Sequence, residues 1–379
     1  MLTRLYIDNF RCFVNFELKL GAKQLLIGRN GTGKSSLLQV LAYLKLIADG
    51  ESVSALFPSD TRTRWNDSPI QKFAISVALN GGIFQYELEI EHQSTRVIIK
   101  TEKLDFSDQP VFRFIDGTVT LHSADRGGQA ISPYSIDQGR STLATAKVGP
   151  ATPLESFKSW LMLKLQCFIP NPTSLRRPDS VGRLWNYSRN NSVIAQFPDW
   201  YQYVRTQNPD RDEQFQQQMR SVIDGFRALD LVTLPGTAKL LFATFAFSPG
   251  KGGEQNGKAF GVKFDELSDG QRYLIVLYAL LMFAMNDEAV TVVIDEPDNY
   301  LALFEIQPWL LSILDRVDES DGQVILISHH PELLNQLAGR DAVILDREED
   351  GRIVAKPFVL PDDNTLPPAE IVARGWELA

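Results

Sequence analysis

The chain has 379 residues, 44% of them hydrophobic, enough for a large core and ordinary for globular material. A net charge of −9 argues against wholesale coating of nucleic acid, while leaving room for a local basic groove. Two cysteines, Cys12 and Cys167, give no metal spacing and no disulfide framework, so a reducing cytoplasm is the default.

The chain opens on a strand-like segment carrying Arg4, which is not the pattern of a signal peptide. A second apolar run, Gln24 to Ile27, leads into Gly28-Arg29-Asn30-Gly31-Thr32-Gly33-Lys34-Ser35, a complete G-x-x-x-x-G-K-[ST] loop. The helical pattern from Ser35 to Ala42 follows it. Strand, glycine-rich loop and helix together are the context a phosphate-binding loop needs. Glycines let backbone N–H groups curl around phosphate oxygens, and the new helix aims its positive end at them. The candidate nucleotide contacts are therefore Gly28, Asn30, Gly31, Gly33, Lys34, Ser35 and Ser36. Lys34 is expected to reach the β- and γ-phosphates, and the Ser35 hydroxyl to hold Mg²⁺.

Residues 70–122 alternate polar and apolar positions around the turn signal Asn80-Gly81-Gly82, which predicts an antiparallel meander. From about 150 to 230 the period becomes helical, with prolines at the joints and no sustained heptads, as in a helical insertion. Within it, Arg176, Arg177, Arg183 and Arg189 interleave with Trp185 and Tyr187 against Asp179 alone. That composition can track a phosphate backbone and stack on bases, or form a solvated loop whose aromatics pack inward. Residues 248–258 read as a flexible loop.

Leu267-Ser268-Asp269-Gly270-Gln271 then begins a capped helix that continues as the almost wholly apolar Tyr273 to Leu281. No apolar run is long enough to span a membrane. Val290 to Ile294 is a β-branched strand delivering Asp295 and Glu296 to its carboxyl edge, where ligands bind in open α/β sheets. Asp295 is placed to hold Mg²⁺ directly or through water, and Glu296 to polarise an attacking water. A further strand, Val324 to Ile327, ends in Ser328-His329-His330.

The order of these motifs resembles the ATP-binding cassette head in its RecF/SMC branch, and Ile7-Asp8-Asn9-Phe10-Arg11-Cys12-Phe13 is similar to that branch's I-x-N-F-R-x-F opening. The resemblance implies an α/β P-loop NTPase fold: an ABC-type head with a β meander and a helical insertion. On that reading residues 1–149 form the first lobe, 150–231 the insertion and 232–379 the second lobe. It implies that Arg11 lies near the nucleotide and that Leu267–Gln271 is the signature motif. Ser268, Gly270 and Gln271 of one subunit would close over the γ-phosphate held by another. His329 would be the switch histidine, residues 298–301 the dimer-contact loop, and Gln138 the glutamine that senses Mg²⁺. Arg140-Ser141-Thr142-Leu143 and the run from Phe168 to Pro178 resemble compact stand-alone members, many of which sit in bacterial defence modules beside a separate nuclease or other effector.

The expected function is an ATPase, with ATP and Mg²⁺ as cofactors, that forms an ATP-dependent homodimer or higher oligomer. It would regulate a separate effector such as a nuclease, in antiphage defence or DNA maintenance. No nuclease signature lies in this chain, so cutting would fall to another polypeptide. The alternatives are a DNA-binding repair ATPase without a dedicated effector, and a non-catalytic assembly switch. A transporter subunit fits poorly with the N-F-R opening and the LSDGQ motif, and no membrane partner is expected.

Overall fold

The computed structural model describes residues 1–123, 129–130, 133–146, 149, 152–168, 197–233, 239–246, 259–285, 289–360 and 366–375. In chain order the strands are β1 (Leu2–Asp8), β2 (Phe16–Lys19), β3 (Lys23–Ile27), β4 (Ile70–Leu79), β5 (Gly82–His92) and β6 (Val97–Phe106). There follow β7 (Gln109–Ile115), β8 (Thr118–Ser123), β9 (Gln129–Ala130), β10 (Tyr134–Ser135), β11 (Leu165–Phe168) and β12 (Phe226–Thr233). The last are β13 (Lys239–Phe245), β14 (Phe260–Lys263), β15 (Thr291–Asp295), β16 (Gln323–Ile327), β17 (Ala342–Arg347) and β18 (Ile353–Pro357). They divide between two compact units: Met1–Cys167 with Asp287–Val293 and Ser320–Ala379, and Phe168–Asn286 with Ile294–Glu319.

The first unit holds an antiparallel sheet in the order β10-β8-β7-β6-β5-β4-β1-β2, with β9 added on β8. The expected meander is its centre, and the hairpin falls where the turn signal lies: Leu79 pairs with Gly82 while Asn80 and Gly81 take positive φ. Two successive left-handed residues match the right-handed twist of the flanking strands. Alternation then sorts the faces. Phe73, Ile75, Val77, Phe84, Tyr86, Leu88 and Ile90 are buried, and Lys72–Glu89, Lys103–Glu87 and Lys100–Glu91 pair across strands on the other face.

The six-stranded sheet runs β11-β15-β16-β3-β17-β18. β3 is parallel to both β16 and β17, and the hairpin strand β18 is antiparallel to its neighbour β17. Every residue of β15 and β16 is buried, which explains why both read as unbroken apolar runs rather than alternating ones. The loop after β3 therefore leaves the middle of a buried sheet at its carboxyl edge.

The Phe10–Phe13 turn is set in an aromatic cluster. Phe10 meets Phe73 at 5.7 Å, Phe57 at 6.0 Å and, on the helix after the glycine-rich loop, Tyr43 at 6.4 Å. This fixes the turn against helix Lys34–Ala48.

The second unit contains helices Phe197–Gln207, Pro209–Val222, Asp269–Ala279 and Leu303–Asp318, with the antiparallel sheet β12-β13-β14. Its core joins Tyr201, Phe215 and Phe283, with Phe197 stacked on Phe264 at 5.1 Å. The first break between the units falls after Cys167, in β11 of the six-stranded sheet. The Arg176–Arg189 segment and the 248–258 loop lie outside the described residues. Among the described residues no helix is long and apolar enough to cross a membrane.

Candidate nucleotide-binding site

The loop between β3 and helix Lys34–Ala48 has its carbonyls turned toward donors. Lys34 Nζ donates to Gly28 O at 2.5 Å and to Arg29 O at 3.2 Å. Thr32 Oγ1 donates to Arg29 O at 2.9 Å, and Arg347 Nη2 donates to Gly31 O at 2.7 Å. A peptide whose carbonyl points one way presents its N–H the other way, so the arrangement favours an anion-binding concavity. Gly33, in the left-handed region, precedes the helix and contributes no side-chain cap. An uncapped helix start suits an anion.

Two of the glycines are dictated by space. A Cβ at Gly28 would lie 2.4 Å from Leu345 O, and one at Gly33 would lie 2.6 Å from both Cys12 Sγ and the Phe13 ring. The N-F-R turn thus backs directly onto the loop. Its own geometry is held by Asn9, which is fully buried. Asn9 Nδ2 donates to Ser68 O and Ile70 O at 2.8 Å each, and Asn9 Oδ1 accepts from Thr63 N at 3.2 Å. Arg11 takes φ 53° and donates its N–H to Thr61 O at 2.7 Å. Burial pushes the Cys12 thiol up, opposed by the nearby charges of Arg347 and Arg11.

Ser328 and His329 follow β16, the strand beside β3, so both stand one strand away from the loop. Ser328 is buried and His329 is exposed. His330, to which the sequence assigned no role, caps helix Pro331–Leu337 by accepting from Glu332 N at 3.2 Å.

Gln138 is not brought to this place, which corrects its expected role toward Mg²⁺. Its carbonyl accepts from Ile99 N at 2.7 Å, and its side chain lies over the Gly117 turn. The adjoining Arg140 donates to Gly50 O at 3.2 Å, past the far end of helix Lys34–Ala48. Fifteen helical residues span about 22 Å. The strap around Gln138 packs on the end of the helix opposite to the phosphate loop.

In the second unit the acidic strand end and the signature segment interlock. Ser268 caps helix Asp269–Ala279, its Oγ accepting from Gln271 N at 3.2 Å while Gln271 Oε1 accepts from Ser268 N at 3.2 Å. Asp269 pairs with the buried Arg272. A Cβ on Gly270 would meet Tyr300 O at 2.8 Å, so this glycine is required by the turn that follows Glu296. Tyr273 OH donates to Glu296 O at 3.1 Å, and its ring meets Tyr300 edge-on at 6.3 Å. Burial and the carboxylates of Asp298, Asp295 and Glu296 push the Tyr273 phenol far up, so it stays a donor.

Asp295 is buried at the end of its strand, and Glu296 is exposed at φ 51°. A left-handed non-glycine conformation costs about 1–3 kcal/mol and persists where the surroundings over-determine it. Here Asn299 supplies part of that restraint: its N–H donates to Glu296 O at 3.2 Å and its Nδ2 to Glu296 Oε2 at 2.5 Å. Neither Asn9 nor Tyr273 stood among the sequence candidates, though the N-F-R motif contained the first and the signature helix the second.

Comparison with known proteins agrees with this geometry. Residues 1–115 match the family described as AAA ATPase domain, and residues 169–335 the family described as AAA domain, putative AbiEii toxin, Type IV TA system. The SMC head domain from Thermotoga maritima is similar at 13% identity and TM-score 0.50, over 95% of this chain and 99% of that one. The SmcHead bound to the C-winged helix domain of ScpA is similar at 13% identity and TM-score 0.56, over 93% and 97%. The Smc head domain with an extended coiled coil, bound to the C-terminal domain of ScpA derived from Pyrococcus furiosus, gives 11% and 0.55, over 100% and 99%. A search of curated proteins gives no match.

Proposed function

Starting from the chain's place among P-loop ATPases of the ABC/SMC-like kind, we propose that it hydrolyses ATP. In this reading it closes as a head-to-head dimer around the nucleotide and controls a separate effector protein. The observation that carries the reading is the phosphate loop itself, with its carbonyls held by Lys34, Thr32 and Arg347 and its helix start without a side-chain cap.

The roles follow from the chemistry of each residue. Loop N–H groups from Gly28 to Ser36 cradle the phosphates, and Lys34 leaves its two carbonyls for the β- and γ-oxygens. The exposed Ser35 hydroxyl and the Asp295 carboxylate are hard oxygen donors, a set that suits Mg²⁺. Bound there, Mg²⁺ would neutralise charge developing on the phosphates. Glu296 orients and deprotonates the attacking water, and the exposed His329 contacts the γ-phosphate. Arg11 contributes a cation at the turn behind the loop. Ser268, Gly270 and Gln271 act on the nucleotide of a second copy, offering an N-capped helix start to its γ-phosphate.

Dimer closure is supported by the exposed apolar residues next to that helix start: Tyr300, Leu303 and Phe304 are 52%, 53% and 75% exposed. Such a cluster on a soluble chain marks an interaction surface. The effector reading draws on the AbiEii-like family match and on the SMC heads solved with a domain of ScpA, a second polypeptide. The decisive experiment isolates tagged Glu296→Gln protein from its host in ATP and compares it with Glu296→Gln/Ser268→Arg. A nuclease or toxin-like partner held by the first and lost from the second supports the effector role. DNA alone, released by salt, would replace it with a repair role.

A further inference from the structure

The phosphate loop has one weak point, and a residue from the far end of the chain covers it. Gly28 is boxed by Leu345 and Thr32, and Gly33 by Cys12 and Phe13. Gly31 has neither restraint: it takes φ 83° and has no atom within 4 Å of where a Cβ would stand. A glycine in open space can rotate its peptide at little cost. Rotation would turn the Gly31 carbonyl into the concavity, where it would repel phosphate. Two bonds hold this peptide: Thr32 N donates to Arg29 O at 3.3 Å, and Arg347 at the end of β17, 316 residues away, donates Nη2 to Gly31 O at 2.7 Å, the one that engages the carbonyl itself.

The same guanidinium is itself held. Nη1 donates to Gly351 O at 3.1 Å, which ties it to the β17–β18 turn. Its acidic neighbours Asp346 and Glu348 are engaged by Lys356 at 2.9 and 3.0 Å. The field of Arg347 reaches Cys12 beside Gly33.

We propose that Arg347 is a positioning residue of the nucleotide site: it locks the Gly31 peptide in the phosphate-receptive orientation. The inference rests on the phosphate-loop reading above. It assigns the β17–β18 hairpin a part in ATP affinity that neither the loop motif nor the family matches contain.

The test measures ATP dissociation constants and thermal midpoints for full-length wild type, Arg347→Ala, Arg347→Lys, Lys34→Ala and, as a control on the same hairpin, Arg352→Ala. Arg347→Ala should weaken ATP about tenfold, the scale of one charge-assisted hydrogen bond. Arg347→Lys keeps the charge and one donor and should recover part of that loss, while Arg352→Ala should bind as wild type. An Arg347→Ala protein with a lowered midpoint and wild-type ATP affinity would make Arg347 a hairpin staple only, and overturn the proposal. So would equal affinity with an unchanged midpoint. If wild type itself binds no ATP, the phosphate-loop reading fails first. If Lys34→Ala abolishes binding and Arg347→Ala does not, this inference alone fails.

Discussion

Single residues divide the site into groups that bind and groups that turn over. Lys34 is the only side chain among the described residues seen donating to both Gly28 O and Arg29 O, so Lys34→Ala should abolish ATP binding as well as hydrolysis. The Glu296 side chain is held locally by Asn299. Glu296→Gln should therefore keep ATP affinity within about threefold while turnover falls by roughly 10²–10⁴, the range for losing a general base. Equal turnover in wild type and Glu296→Gln, by phosphate release, would remove Glu296 from the chemistry. The loop, the acidic strand end and the capped signature helix were legible in sequence because each is a local pattern of eight or fewer residues. Arg347 was not, because only the pairing of β17 with β3 brings it to Gly31. The place of Gln138 was not legible either, because only long-range bonds such as Arg140 to Gly50 O set the strap against the far end of the helix.

At the scale of elements, helix Lys34–Ala48 carries a buried cation. Lys45 Nζ donates to Leu165 O at 2.6 Å, and burial pulls its pKa down to about 8. Between about 8 and its ordinary 10.5 the unfolded chain binds the extra proton, so stability from this group rises with pH. The buried Cys167 thiol, pushed up to about 12, acts oppositely above its ordinary 9.0, where the unfolded thiol ionises first. The two therefore separate only from pH 8 to 9. Thermal melts should show stability rising there more steeply in wild type than in Lys45→Met, where only the tail of the Met1 amino group, pulled by burial down to about 6, still contributes. A parallel rise in both would show that Lys45 is not its source. The Gly270–Tyr300 contact makes a second element-level prediction. Gly270→Ala places a methyl 2.8 Å from Tyr300 O, so the signature helix or the turn after Glu296 must move. Turnover should drop at least tenfold with ATP binding to the loop preserved, since a small misplacement of catalytic groups costs that much. The helix itself was legible from Ser268 and the apolar run. Its grip on the acidic turn was not, because no sequence pattern announces a Tyr273–Glu296 bond.

For the whole molecule, the expectation is a nucleotide-linked change in assembly. Ser268→Arg puts a long cation at the helix cap without touching the phosphate loop. By sedimentation, wild type or Glu296→Gln should shift to dimer in ATP and Ser268→Arg should stay monomeric. Normal hydrolysis by Ser268→Arg would defeat the in-trans arrangement. The parallel-sheet architecture was readable from apolar runs ending in functional residues. The union of β1 and β2 with the meander was not, since strand order in a sheet depends on long-range pairing.

Gln323 bears on how that first unit comes apart. At the head of β16 its Oε1 accepts from Leu2 N at 2.8 Å and Thr291 Oγ1 at 2.9 Å, while its Nε2 donates to Leu2 O and Gly21 O at 2.7 Å each. One buried amide thus stitches the meander sheet, through β1, to the nucleotide sheet. The expected consequence is that the two layers open together. Saturating ATP at about 100 times its dissociation constant adds roughly 2.7 kcal/mol to the folded state. Amide hydrogens deep in β5 and β6, far from any phosphate, would then exchange up to about a hundredfold more slowly. Replacing Gln323 with Leu would uncouple them, leaving ATP to protect the strands beside the loop and no others.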